Sequence, residues 1–133
     1  MITGLLVLIL VGAALILYVR VVPLEAARWH RPIEAASDQD LTGGAIRVLD
    51  GDAALFGRLD NALGALPRTK VLAGSVAENR ITYVTRSAFF GFPDITTIEL
   101  RDGQIRMFAR LKFGASDLGV NRKRLEGLIA AVQ

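Results

Sequence analysis

The first nineteen residues, MITGLLVLILVGAALILYV, carry no charge, and Thr3 and Tyr18 are their only polar interruptions. A run of this kind constrains the chain before any other feature does. At about 1.5 Å of rise per residue, some 19 to 22 helical residues cover roughly 30 Å, the thickness of one bilayer core. A cleaved signal peptide is the rival reading, and a buried core helix is a third. A signal peptide has a basic start, an apolar stretch of about 7–15 residues and a small-residue cleavage site. Here no Lys or Arg precedes the run, the run is longer, and LEAARW is a poor cleavage site. The expectation is a retained single-pass transmembrane helix over residues 1–22. With no cysteine in the chain, a lipoprotein anchor is excluded and the redox compartment is unreadable. Arg20, Arg28 and Arg31 follow the span, which by the positive-inside tendency places the rest of the chain in the cytoplasm. A long C-terminal domain weakens that tendency, so the side stays open.

Beyond the span, residues 23–50 show no sustained period and are rich in turn formers, which reads as an extended connector that partly packs on the domain after it. Residues 51–133 read as one α+β domain. Leu55, Phe56, Leu59, Leu63 and Leu66 form a stripe at helical spacing, Asp50 or Asp52 is placed to cap it, and Pro67 stops it. Two hairpins come next. In VLAGSVAENRITYVTR, a two-residue turn at Glu78-Asn79 pairs Val76 with Ile81, Gly74 with Tyr83 and Leu72 with Thr85. In DITTIELRDGQIRMFARLKF, Asp102-Gly103 suits a type I′ turn. That turn sets Leu100 against Ile105, Ile98 against Met107 and Thr96 against Ala109 on one face. It sets Glu99 against Arg106, Thr97 against Phe108 and Ile95 against Arg110 on the other. Ile105, Met107, Ala109, Leu111 and Phe113 then face the core. Leu118, Leu125, Leu128, Ile129 and Val132 make the inward stripe of a last helix, capped by Ser116 or Asp117. The order is α-β-β-β-β-α, a roughly four-stranded antiparallel sheet covered on one face by two helices.

Several of these residues also fall into a recognisable pattern. FFGFPDITTIEL, followed by ARLKFGASDLGVNRKRLEGLIAAV, resembles the domain of unknown function 1499 family. That family carries an F-x-D or F-P-D element and then a signature close to S-R-S-R-x-G-x-S-D-L-G-V-N-x-x-R. Phe92, Pro93 and Asp94 match the first element; Gly114, Ser116, Asp117, Leu118, Gly119, Val120, Asn121 and Arg124 match the second. ARWH at 27–30 also looks like the segment that leads into the domain in alphaproteobacterial members with one N-terminal anchor, so the resemblance implies a bacterial inner-membrane protein. It spans about residues 26–133. Where the family often has serines and arginines before the glycine, this chain has Ala109, Arg110, Leu111 and Lys112. The basic positions survive and the hydroxyls do not. The resemblance implies no established activity.

Catalytic sets are thin. His30 is the single histidine, and Ser37, Ser75, Ser87 and Ser116 lack the glycine context of a nucleophile elbow. One histidine without a spaced carboxylate cluster does not make a metal site, and Asp94 and Asp117 read first as a strand-start residue and a helix cap. No phosphate-cradling glycine loop or dinucleotide fingerprint is present. The expectation is therefore no enzyme, no cofactor and no metal. A hydrolase using His30 or Asp94 is the least favoured alternative.

What remains is charge. Residues 1–67 hold five arginines against seven acids, whereas residues 68–133 hold eleven basic residues against six acids. The candidate binding residues are Arg86, Asp94, Arg110, Lys112, Asp117, Asn121, Arg122, Lys123 and Arg124. Two readings stand side by side. In one, Arg110 or Arg124 holds Asp94 or Asp117 within the fold; in the other, the basic set receives an outside anion. A membrane tether disfavours nucleic acid, despite Tyr83 and Phe108 as possible stacking residues, and favours an anionic headgroup or a membrane-protein partner. The expected function is a membrane-anchored accessory or interaction module, alternatively a carrier of a lipid or small ligand in a pocket walled by Phe89, Phe90, Phe92 and Phe108.

Overall fold

The computed structural model describes residues 1–133. Its first element, α1 (Ile2–Val21), is a 20-residue helix whose side chains are almost all exposed, and it is long and apolar enough to cross a membrane. Val19 is the one buried residue of α1, where its last turn meets the folded domain. After a single turn of helix, α2 (Ala26–Trp29), the chain enters an antiparallel sheet of six strands. The elements are β1 (Gln39–Leu41), β2 (Gly44–Asp50), α3 (Ala53–Gly64), β3 (Thr69–Ser75), β4 (Arg80–Arg86), β5 (Pro93–Arg101), β6 (Gln104–Leu111) and α4 (Val120–Val132). The strand order is β1-β2-β6-β5-β4-β3.

The expected four strands are thus six. The additional pair comes from residues 39–50, which the sequence presents as connector. β1 and β2 form a hairpin, and β2 runs along β6 from Gly44 opposite Arg110 to Asp50 opposite Gln104. Nothing local announces this strand. Ala45 and Ile46 are adjacent and both buried, so the alternation that marks a half-buried strand is blurred. Its partner lies some sixty residues further on.

α3 behaves as its stripe requires. Phe56, Leu59 and Leu63 are fully buried, and Asp52 accepts the Leu55 N–H at 2.9 Å. With α4 it covers one face of the sheet, over Ala45, Ile81, Tyr83, Ile98, Ile105, Met107 and Ala109. Tyr83 belongs to this core and donates its hydroxyl to Asp60 on α3, so it is not a surface stacking residue; burial, then the Asp60 contact, pushes its pKa well above the usual range. The β5–β6 register is the expected one at every position, with Asp102 and Gly103 both in left-handed conformation (φ 54° and 74°), as a type I′ turn demands.

The β3–β4 hairpin departs from expectation. Ser75 pairs with Arg80 and Gly74 with Ile81, and a bulge between Val71 and Ala73 then sets Val71 opposite Tyr83. The turn is a 3-10 turn at Val76–Glu78, where Ser75 accepts the Glu78 N–H and Asn79 takes the left-handed conformation. Four residues in the turn instead of two slide the whole register. Gly74 sits at φ 88°, and a Cβ there would fall 2.0 Å from the Arg80 carbonyl. Only glycine fits.

In α4, Leu125 and Leu128 are buried as expected, while Leu118 is 88% exposed because the helix starts only after Gly119. Leu111, the last residue of β6, and Phe113, beyond it, are half-buried at the end of the sheet. The second sheet face is not open either. Segment 24–35 lies across it, burying Trp29 against Val84 and Ile95, and burying Ile33.

Candidate functional site

The nine candidate residues sort into three places. Asp94, Asp117, Asn121 and Arg124 form an internal brace where β5 begins and α4 starts. Arg124 Nη1 lies 3.2 Å from Asp94 Oδ2 and also donates to the buried Asn121 side chain. Asp117 accepts the backbone N–H groups of Gly119 (2.9 Å) and Asn121 (3.0 Å). Of the two readings offered for Arg124, the geometry is that of internal pairing. Burial, only partly offset by Arg124, holds Asp94 above the usual carboxylate range. At Asp117 burial works in the same direction, but the two backbone donors outweigh it and the pKa falls.

Arg122 and Lys123, on the outer side of the same helix, are exposed. Arg110, on β6, and Lys112, just beyond its end, lie beside Trp29 on the second face. Arg86, at the end of β4, donates to the carbonyl oxygens of Val19 (3.2 Å) and Gly91 (2.9 Å), tying the last turn of α1 to the loop between β4 and β5.

That loop, residues 87–92, sits beside α1. Arg20 Nη2 donates to the Phe89 carbonyl at 2.7 Å. Phe90 and Phe92 face Gly12, Leu15, Ile16 and Val19 across a wholly apolar groove of about 340 Å³. Phe89, Phe90 and Phe92 are 76%, 46% and 43% exposed, far more than rings of this size normally are in water. Phe113, from the loop after β6, meets Tyr18 of α1 edge to face at 6.3 Å. The phenylalanines expected to wall one pocket do not share one, since Phe108 lines a separate cavity on the second face.

Next to the α1 junction is the largest cavity of the chain, about 530 Å³, walled on one side by Leu24 and Val84 and bordered by Arg20, Arg68, Lys70 and Arg86. No carboxylate lines it. Arg68, Lys70 and Arg20 escaped the sequence reading as a group. Lys70 lies on β3 and Arg68 is the left-handed residue just before it, and nothing in the sequence brings Arg20 to them.

Two other polar groupings went unread. Glu99, 2% exposed, is opposite Arg106 in register, yet it pairs with Arg80 at 2.6 Å and Arg101 at 3.0 Å. Arg106 instead donates to the Ala35 carbonyl. His30 Nδ1 is 2.8 Å from the Thr82 hydroxyl, which contacts Thr97, which in turn accepts from Arg110. Burial and then Arg80 lower the His30 pKa. Its side-chain partner is a threonine, and Ser75, Ser87 and Ser116 each accept a backbone N–H in a turn. No group of three or more His, Asp or Glu side chains is placed to hold a metal ion.

The chain belongs to the DUF1499 family, described as a protein of unknown function, whose pattern matches residues 30–132. No curated protein matches it. Among solved structures it is similar to the crystal structure of a DUF4468 family protein from Bacteroides ovatus, at 11% identity and a TM-score of 0.34, over 66% of this chain. The chain spans 63% of the length of that protein, and the likeness is distant.

Proposed function

We propose that this DUF1499 chain is a single-pass membrane protein whose α+β domain rests on the bilayer surface as an interaction module and holds an anionic lipid headgroup there. The observation that supports this most directly is the position of Phe90 and Phe92 against Gly12–Val19. If α1 crosses the bilayer, that part of it lies below the headgroups, and the phenylalanine loop is carried into the same leaflet. Exposed rings are costly beside water and at home at the acyl boundary. Just outside, Arg20, Arg68, Lys70 and Arg86 border a cavity with no counter-charge of its own. Basic side chains near an anionic surface contribute about 1 kcal/mol each. A membrane-protein partner, the other occupant considered, would meet the exposed Leu118, Val120, Arg122 and Lys123 at the start of α4.

The test is one of depth. Trp29 is the only tryptophan, so Phe90→Trp in a Trp29→Phe background makes the loop carry the sole tryptophan, excited beyond the tyrosine band. In bilayers containing lipids brominated at graded depths, quenching should be strongest from the upper acyl positions. Efficient quenching by aqueous iodide with none from brominated lipid would sink the seated arrangement.

A further inference from the structure

The fold draws the Arg110 guanidinium inward without supplying an acid, and its burial is deep enough to lower its pKa. Nη1 donates to the Thr97 hydroxyl (3.0 Å) and the Phe108 carbonyl (3.0 Å), and Nη2 to the Trp29 carbonyl (2.7 Å). All three acceptors are uncharged, and Arg110 takes part in none of the ion pairs of the chain, which involve Arg47, Arg80, Arg101 and Arg124. Its Nε–H and second Nη2–H are left without an acceptor. A guanidinium with donors to spare on Nε and Nη2 can grip an oxyanion through more than one hydrogen bond. Burial alone brings the Arg110 pKa down to about 10, still leaving it charged at neutral pH. A charge drawn partly out of water with no counter-ion keeps its desolvation cost unless something else supplies the anion.

The surroundings have the shape of a ligand site. Arg110 lines a cavity of about 350 Å³ together with Trp29, Ile33 and Phe108, with Arg28 and Arg31 exposed at its mouth and no acidic residue in the lining. That volume lies within the range of small-molecule pockets. The guanidinium carbon of Arg110 lies 5.3 Å from the Trp29 ring centroid and 4.4 Å from that of Phe108. The indole N–H of Trp29 is buried and also lacks an acceptor. One cavity therefore gathers a cation without a counter-ion, spare donors on that guanidinium, and apolar walls.

We infer that the cavity walled by Trp29, Phe108 and Arg110 binds a small phosphate ester, its oxyanion taken by the free donors of Arg110 and screened by Arg28 and Arg31, its organic part lying against Trp29 and Ile33. This site is separate from the cavity bordered by Arg20 and Arg68, and it stands whether or not the domain is seated on the bilayer. The same phosphate chemistry has two sources, a soluble ester or the headgroup of a phosphatidic acid.

Trp29 is both a wall and the sole tryptophan, so its emission reads the site directly. The full chain in uncharged detergent is titrated with inorganic phosphate and with glycerol phosphate, ionic strength being held constant with chloride. The expected result is a saturable change in Trp29 emission, stronger for the ester. Arg31→Gln should weaken it about fivefold, the effect of one basic side chain near an anion. Arg110→Gln should weaken it about 30-fold or more. Arg28→Gln with Arg31→Gln changes only exposed residues and keeps the test decisive if Arg110→Gln fails to fold. In nanodiscs, phosphatidic acid reproducing the change in place of phosphatidylcholine would assign the ligand to the lipid; a response to glycerol phosphate alone would assign it to a soluble ester. Absence of a saturable change with either probe, or an affinity untouched by the double variant, would overturn the site and leave Arg110 as a brace between Trp29 and Thr97.

Discussion

Arg124 on α4 reaches Asp94 at the start of β5, with 3.2 Å between Nη1 and Oδ2 and both side chains more than four-fifths buried. The pair joins the helical layer to the end of the sheet nearest α1. Removing one partner leaves the other charge in a poorly solvated place. Arg124→Gln should therefore lower stability by about 1.5–3 kcal/mol, the range for hydrogen bonds to charged groups, read as a shift in denaturation midpoint at unchanged slope. A shift within error would remove the brace from the account of this fold.

The two aspartates of that brace should respond to pH with opposite sign. Asp94 has a raised pKa, so the native state holds its proton more tightly than the unfolded chain. Its contribution to stability therefore falls as pH rises from the usual carboxylate value through the raised native one. Asp117 has a lowered pKa, so its contribution is complete above the usual value and is lost as pH falls through the native one. The stability of wild type relative to Asp94→Asn should decline with rising pH in the first window, and relative to Asp117→Asn it should grow in the second. Equal slopes for the two variants would show that the environments have been exchanged.

Asp117 lies two residues before the Gly119 that precedes α4, yet its carboxylate satisfies the Gly119 and Asn121 N–H groups. Asp117→Ala should cost about 0.5–2 kcal/mol, as for other N-cap losses. Arg122 and Lys123 are exposed at the third and fourth positions of the same helix, within the first turn, where the dipole disfavours cations and solvent screens the effect. Changing both to glutamine should leave stability within about 0.5 kcal/mol. Unfolding by that double change, with Asp117→Ala silent, would invert the assignment.

If the Arg20–Arg68–Lys70–Arg86 cavity holds a headgroup, acidic lipid should survive extraction with the protein. Native mass spectrometry of the full chain in mild detergent is expected to show phosphatidylglycerol adducts in preference to phosphatidylethanolamine. Arg68→Gln with Lys70→Gln should reduce their affinity by about 30-fold, two side chains at about 1 kcal/mol each. Both residues are exposed, so thermal stability should hold. Adducts of equal intensity for both lipids, in wild type and variant alike, would count against the cavity as a headgroup site.

Short-range pattern alone determined a good part of this protein. The uncharged run makes α1, the leucine spacing makes α3, and Asp102-Gly103 locks the β5–β6 register, because each depends on neighbours within a turn or a hairpin. The inward pairing of Arg124 was one of two legible options for the same reason: it sits one position before the buried Leu125. Where four turn residues replaced two at Val76–Asn79, even local reading slipped. What only the tertiary structure decided lies across long separations. β2 joins β6, Arg110 meets the Trp29 carbonyl 81 positions away, and Arg86 reaches Val19 67 positions away. Such contacts carry no periodic trace, since they depend on which faces remain to be buried once the local elements have formed. The missing counter-ion of Arg110 is legible only there. An arginine in the sequence carries the same charge whether it has a partner or not, and only the folded neighbourhood shows that its acceptors are all neutral.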